Sequence, residues 1–201
     1  MSFTWTNVVV FPTGNWLTNK VYYNSQKNEY LVLKGSIINE EYIEKYNIWS
    51  SYKAESDGVY IACASIHGNT YSACEKLKEI LEEKGISKVV LSNLSKEDWS
   101  EAIENAFRYG KIVFASSTYN MEIFTPMRNL LLNLKEKNYQ NKIVGLIENG
   151  TWAPNSAKCM KEILNTMKNI DIIEPVVTIK SKLSEENCLQ LYKMAEDLIK
   201  K

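Results

Sequence analysis

From residue 59 to the C-terminus, short apolar runs typical of β-strands alternate with segments in which apolar residues recur at helical spacing. The predicted strands are Val59–Ala64, Lys88–Leu91, Lys111–Ala115, Lys142–Ile147 and Ile172–Ile179. The predicted helices are Asn69–Lys84, the segment SKEDWSEAIENAFRYG with Ser95 as its N-cap, Pro126–Lys137, Asn155–Met167 and Ser184–Lys200. This alternation indicates a parallel sheet, because parallel neighbours need a crossover connection that is usually a helix.

The predicted fold class is α/β, a three-layer, doubly wound sheet of five parallel strands in the order 2-1-3-4-5. In open sheets of this kind a ligand binds beyond the carboxyl ends of the strands, where the strand order reverses. That point lies beside the first and third strands. The loops that follow Ala64, Ala115 and Ile147 are therefore the predicted site.

Residues 1–56 have a different pattern. The stretches NVVVFP, NKVYYN and EYLVLKGSII predict short strands, and NEEYIEKYNIWSSY predicts a short helix or helical linker. We therefore expect a small β-rich N-terminal extension over residues 1–56 and one larger domain over residues 57–201.

Composition excludes several classes of function. Twenty-four basic and 24 acidic residues give zero net charge, which argues against nucleic acid as a partner. No apolar run is as long as a membrane span, and MSFTWTNVVVFPTG has no secretory pattern, so a cytoplasmic protein is expected. The four cysteines form no C-x-x-C pair, which favours reduced thiols. A single histidine excludes any metal site that needs several imidazoles.

The first of the three loops reads Ser65-Ile66-His67-Gly68-Asn69-Thr70 and joins a strand to a helix. Free backbone N–H groups at a helix N-terminus bind anions, and the hydroxyl and amide side chains add donors, so the loop suits a phosphate. It lacks the lysine of a P-loop and the G-x-G-x-x-G of a dinucleotide fold. Neutral donors suit a phosphate that is held and not transferred. An ordinary turn is the alternative.

The other two loops are SSTYNMEIFTP, from Ser116 to Pro126, and ENGTWAP, from Glu148 to Pro154. Each carries one aromatic residue, Tyr119 or Trp152, among small and polar ones. Either aromatic alone suits packing beneath a loop. Together with the first loop, they indicate a planar ring that is held by a phosphate tail and flanked by aromatic faces.

These motifs resemble the flavodoxin-like FMN domain, and most closely the version at the C-terminal end of flavodiiron proteins, the A-type flavoproteins. The phosphate loop with its histidine before Gly68, the run Ser116-Ser117-Thr118-Tyr119-Asn120, and the pair Gly150 and Trp152 carry the resemblance. It implies that FMN is the cofactor. The implied phosphate cradle is Ser65, Ile66, His67, Gly68, Asn69 and Thr70. The residues implied to border the isoalloxazine ring are Ser116, Ser117, Thr118, Tyr119, Asn120, Met121, Glu148, Asn149, Gly150, Thr151 and Trp152.

The sequence departs from the family pattern at several positions. Ser117 stands where the family usually has proline, and Met121-Glu122 replace small residues, often including glycine. Glu148 either adds negative charge beside the ring or faces solvent. The side chain of His67 either lies beside the phosphate, which would favour the imidazolium, or faces solvent. Residues 1–56 contain no histidine, so they cannot supply a diiron site of the flavodiiron kind, and we interpret them as a degenerate remnant of the preceding metallo-β-lactamase-like domain.

The function that the resemblance implies is electron transfer through FMN to or from a redox partner, such as a rubredoxin, a ferredoxin, a reductase or a separate diiron protein. A homodimer is compatible with this role. Two alternatives stay open at this point. One is an NAD(P)H-dependent FMN or quinone reductase on the same fold, although such enzymes often have an arginine in the phosphate loop. The other is a binding module that has lost FMN.

Overall fold

The computed structural model describes residues 6–8, 21–24, 29–32, 45 and 47–201. The chain divides into two compact units, Met1–Asn47 and Ile48–Lys201. In the first unit, β1 (Thr6–Val8), β2 (Val21–Asn24) and β3 (Glu29–Val32) form an antiparallel sheet in the order β1-β2-β3. The short strands expected in the extension are thus present. Half of the helix expected at its end, residues 39–44 and 46, lies outside the described residues, and residues 45 and 47–50 are helical. The domain boundary and the origin of residues 1–56 stay predictions.

The second unit contains the predicted strand and helix alternation. Its strands are β4 (Ser56–Ala64), β5 (Val89–Asn93), β6 (Tyr109–Tyr119), β7 (Glu122–Ile123), β8 (Gln140–Asn149), β9 (Lys168–Ile172) and β10 (Val177–Ile179). Its helices are α1 (Asn69–Glu83), α2 (Trp99–Arg108), α3 (Thr125–Glu136), α4 (Ser156–Leu164) and α5 (Glu185–Lys200). The main sheet runs β10-β8-β6-β4-β5, with every pair parallel. Counted by strand–helix unit this is the order 2-1-3-4-5, so the predicted fold is confirmed.

The sheet has a helical layer on each face because side chains alternate along its strands. On β4, Tyr60, Ala62 and Ala64 belong to the apolar cluster that includes α2, α3 and α4. Val59, Ile61 and Cys63 belong to the opposite cluster, which includes α1 and α5. The last six of the nine β4 residues, Val59–Ala64, are therefore buried, as expected for a central strand. The four cysteines are free.

Several predicted boundaries are wrong, and three of them have a clear physical reason. Ser95 does not cap α2, because residues 94–96 form a turn in which the Ser95 N–H donates to Asn93 Oδ1. Asp98 is the N-cap instead, and its carboxylate accepts from the Ser100 N–H at 2.9 Å. The first turn of α2 therefore begins three residues later than predicted. The spacing of its apolar residues could not distinguish the two starting points.

The second boundary is that of the third predicted strand, Lys111–Ala115. It continues to Tyr119 because Ser116 and Ser117 pair with β8 and the next two residues pair with β7. The third is the last predicted strand, Ile172–Ile179, which is strand only at its two ends: Ile172 is the last residue of β9, and Val177–Ile179 form β10. Both lie parallel to β8, β9 along its first half and β10 along its end.

Lys142 lies near the amino end of β8, and its buried side chain hydrogen-bonds to carbonyl oxygens at the C-terminus of α2. Its Nζ donates to the carbonyl oxygens of Phe107 at 2.9 Å and Tyr109 at 2.7 Å. Burial lowers the pKa of Lys142 to about 8, because a low-dielectric environment disfavours the ammonium. Between pH 8 and 10 the unfolded chain therefore binds more protons at this position than the folded chain, and the contribution of Lys142 to stability rises with pH.

We expect the free energy of unfolding of the wild type, minus that of Lys142→Met, to increase between pH 8 and 10 by up to about 1.4 kcal/mol per pH unit. Urea unfolding at several pH values measures this difference. Taking the difference cancels the contributions of groups that titrate in both proteins. Tyr60 is one such group, because burial raises its pKa to about 12. A difference that is independent of pH would contradict the prediction.

Candidate functional site

One row of paired residues brings the three predicted loops to the same edge of the sheet. Ala64 at the end of β4 is opposite Ser116 of β6, Ser116 is opposite Glu148 of β8, and Glu148 is opposite Thr178 of β10. The chain leaves the sheet just beyond this row at each strand. The residues that the sequence predicts as a site are therefore gathered at the carboxyl edge, where the strand order reverses.

Loop one forms a tight connection into α1. The Gly68 N–H donates to Ser65 Oγ at 3.0 Å, and Gly68 is the N-cap of α1 with φ +90°, a left-handed conformation that favours glycine. Among the described residues, no side chain caps α1 and no acidic residue lies in its first turn. Ile66, His67 and Asn69 are exposed beside this helix end. The loop thus presents a positive helix end without a carboxylate, as an anion site requires.

Residues 116–119 are the last residues of β6 and not a free loop. The Ser116 hydroxyl accepts from the Phe124 N–H at 3.3 Å, on the side of the sheet that carries α3 and α4. The Ser117 hydroxyl lies on the opposite side, 2.9 Å from Thr70 Oγ1, and accepts from the Ile66 N–H at 3.4 Å. The second segment is therefore hydrogen-bonded to the first, which fixes their separation.

Asn120 and Met121 form the two-residue turn of the hairpin between β6 and β7. Both have positive φ, +50° and +63°, as in the type I′ turns that match the twist of a hairpin. Among residues with a Cβ, asparagine adopts this conformation more readily than most, whereas for methionine the conformation is unfavourable. The Met121 carbonyl accepts from Asn155 Nδ2 at 2.7 Å, which holds the turn against the start of α4.

Met121→Gly is expected to stabilise the protein by about 1 kcal/mol. A residue with a Cβ is strained in the left-handed conformation, and glycine is not. The side chain is 57% exposed, so little packing is lost. The thermal midpoint should rise by about 2–4 °C in a calorimeter. Asn120→Gly in the same turn is the matched control and should give a smaller rise. Equal or lower midpoints for Met121→Gly would mean that the turn is not strained.

Loop three begins with residues that lock it to the end of β10. Asn149 exchanges two hydrogen bonds with Ser181: its Nδ2 donates to the carbonyl at 3.1 Å, and its Oδ1 accepts from the N–H at 3.0 Å. The Gly150 N–H donates to the Ile179 carbonyl at 3.0 Å. A Cβ on Gly150 would lie 2.9 Å from Pro154 Cα, so only glycine lets the loop close here. Thr151 and Trp152 are at its exposed tip.

Glu148 and Thr118 bind the N-terminus of α4. The buried Glu148 carboxylate accepts from the Ala157 N–H at 3.0 Å and from Thr178 Oγ1 at 2.8 Å. Thr118 Oγ1 accepts from the N–H groups of Asn155 and Ser156 at 3.1 and 3.2 Å. The sequence left Glu148 facing either the ring or solvent. The structure excludes solvent, because the carboxylate is buried and both its oxygens accept from protein donors, and a place beside the ring stays a prediction.

Four large apolar side chains on the three loops are exposed at this edge. They are Ile66 (38%), Tyr119 (51%), Met121 (57%) and Trp152 (95%). Tyr119 makes an edge-on contact with Phe124, with 6.1 Å between ring centroids. Packing beneath a loop, the alternative for both aromatics, is therefore wrong for Trp152. Apolar side chains gathered on one surface in this way indicate a binding site.

Four residues outside the three predicted loops hold loop residues in place through hydrogen bonds. Thr178, Asn155, Ser156 and Ser181 hold loop residues but lie in strands, helix ends or a connection that carried no motif. Asn155 and Ser156 were predicted only as the start of a helix. A cavity of about 580 Å³ is also present, but it lies at the opposite, amino edge, where Gly58, Gly110 and Lys142 are among its lining residues.

The described residues contain neither a cluster of metal-ligating side chains nor a helix that could span a membrane. No three histidine, cysteine, aspartate or glutamate side chains of that part of the chain are grouped as metal ligands would be. In the same part of the chain, no helix has both the length and the apolarity to cross a membrane.

No protein-family model and no curated protein matches the chain. Solved structures do. Rubredoxin oxygen:oxidoreductase from Desulfovibrio gigas has a TM-score of 0.74 and 24% identity, over 80% of this chain and 39% of that one. The flavodiiron protein from Giardia intestinalis has a TM-score of 0.73 and 20% identity, over 80% and 40%. A flavodoxin from the domain Archaea has a TM-score of 0.60 and 19% identity, over 71% and 96%.

The chain thus spans about 40% of the length of the two longer proteins and matches nearly all of the flavodoxin. At these identities the likeness defines the fold. The protein has the flavodoxin-like α/β fold, and a part of each flavodiiron protein shares this fold. The resemblance predicted from the three motifs is confirmed at that level.

Proposed function

We propose that the protein binds FMN at the carboxyl edge of its sheet and transfers electrons through it. The proposal rests on two features that lie at the same edge of the sheet. One is a helix N-terminus without a carboxylate in its first turn, and the other is a set of exposed aromatic and apolar side chains. A phosphate needs the first and a planar ring needs the second. The fold supports the proposal, because a flavodoxin and flavodiiron proteins share it.

The residues present fit the two ends of FMN. Loop one supplies donors for the phosphate: the N–H groups at the start of α1 and the hydroxyl or amide groups of Ser65, Asn69 and Thr70. Open space at Gly68, where an added Cβ would meet nothing within 4 Å, lets a ligand approach the backbone. Tyr119 and Trp152 supply aromatic faces for the ring. When bound, FMN supplies one- and two-electron transfer, which no side chain here provides.

Titration of the purified protein with FMN tests the proposal. We expect quenching of flavin fluorescence on binding, and weaker binding of riboflavin, which has the same ring but no phosphate. Absence of quenching and of a flavin spectrum would contradict the proposal and favour a binding module that has lost FMN. Equal affinity for both ligands would contradict the phosphate role of loop one.

Reduction kinetics separate the carrier from the enzyme. We propose a carrier whose partner is a small redox protein or a separate diiron protein, so NADPH alone should bleach bound FMN slowly. Oxidation of the anaerobically reduced protein by rubredoxin or ferredoxin measures the transfer directly. Rapid bleaching by NADPH would instead establish an NAD(P)H-dependent reductase.

A further inference from the structure

Ser117 at the end of β6 lies on the face of the sheet that carries α1, and its hydroxyl contacts loop one twice. It accepts from the backbone N–H of Ile66 at 3.4 Å, and its oxygen lies 2.9 Å from Thr70 Oγ1. The Thr70 side chain is only 1% exposed, and Ser117 is buried as well. A hydrogen bond in such a place is stronger than it would be in water.

The directions of these hydrogen bonds are limited by the number of protons. A hydroxyl has one proton to donate and two acceptor positions. Because the Ile66 N–H can only donate, Ser117 Oγ is the acceptor of that bond. The bond between Ser117 Oγ and Thr70 Oγ1 can run in either direction, because Ser117 Oγ has a second acceptor position. When Ser117 donates to Thr70 Oγ1, the proton of Thr70 is left for a further acceptor, and Thr70 lies in the first turn of α1, beside the N–H groups that suit an anion.

We propose that Ser117 is a positioning residue for the phosphate: it fixes the Thr70 hydroxyl as a donor to a phosphate oxygen. The chain of donors runs from the Ile66 N–H to Ser117, from Ser117 to Thr70, and from Thr70 to the anion. No proton is transferred, and only the orientation of the hydroxyls is set. The inference rests on the proposed function. It also moves Ser117 from the ring, where the resemblance placed it, to the phosphate.

The expected effects differ between FMN and riboflavin. Ser117→Ala should weaken FMN binding about 3- to 10-fold, the effect of one neutral hydrogen bond, and leave riboflavin binding unchanged. Thr70→Val should weaken FMN binding about 10- to 100-fold, because it removes a donor to a charged group. Thr70→Ser keeps the hydroxyl and should stay within about threefold of the wild type.

Fluorescence titration of each full-length variant with FMN and with riboflavin is the test, with thermal unfolding as a check of folding. Ser92→Ala, a buried serine on β5 outside the loops, is the matched control and should change neither affinity. In the double variant Ser117→Ala/Thr70→Val, the loss should be no greater than in Thr70→Val alone, because Ser117 acts through Thr70.

Each outcome decides between specific statements. If Ser117→Ala weakens both ligands equally, or weakens neither, Ser117 has only a structural role and the inference is overturned while FMN binding stands. Additive losses in the double variant would overturn it too. If the wild type binds no FMN, the proposed function fails first, and the inference fails with it.

Discussion

Replacing Trp152 with alanine is expected to weaken FMN binding about 5- to 150-fold and to leave the stability of the protein unchanged. The affinity loss corresponds to about 1–3 kcal/mol, the usual effect of removing an aromatic side chain that stacks on a base-like ring. The side chain is 95% exposed, so it has almost no contact with the protein to lose. Fluorescence titration and thermal unfolding of the same preparation measure the two quantities.

The exposure of Trp152 makes this experiment selective. For most buried aromatics, a loss of affinity and a loss of folding are hard to separate, whereas here any fall in affinity reports a contact with the ligand. Leu189→Ala, which removes a side chain on α5 that is 71% exposed, is the control and should change neither quantity. Unchanged FMN affinity in Trp152→Ala would show that the ring does not stack on this residue.

The sequence predicted the fold well because its strongest signals are periodic. The apolar face of α5, for example, follows directly from spacing, and its capping box of Ser184 and Asn187 is present as a local motif. Ends of elements were less predictable. β6 runs beyond Ala115 because Ser116 and Ser117 pair with Glu148 and Asn149, which are distant in sequence, and because the next two residues pair with β7 in a hairpin.

The candidate site was predicted as a set of positions, but the roles of several side chains were not. Ser116 and Ser117 are adjacent and chemically identical, yet alternation along β6 sends one hydroxyl to Phe124 and the other to Thr70. Which face a residue occupies depends on the register of the sheet. The hydrogen-bond partners of Glu148 could not be predicted for the same reason: Ala157 and Thr178 come from an adjacent helix and strand.

Replacing Glu148 with alanine is expected to cost about 2–4 kcal/mol of stability, because two donors lose their acceptor in a buried place. The Ala157 N–H at the start of α4 and the Thr178 hydroxyl are the donors. The thermal midpoint should fall by about 5–15 °C. Calorimetry or urea unfolding measures the effect. FMN affinity should fall too, since α4 holds the Met121 turn through Asn155.

Glu148→Gln separates the hydrogen bonds from the charge. The amide oxygen can still accept from the Ala157 N–H, and the amide nitrogen can donate to the Thr178 hydroxyl, so about 1 kcal/mol or less should be lost. Because the carboxylate of the wild type is directed to α4 and β10, FMN affinity should be unchanged in this variant. Equal destabilisation by glutamine and alanine would show that the negative charge at the N-terminus of α4, and not the pair of hydrogen bonds, is what this part of the fold requires.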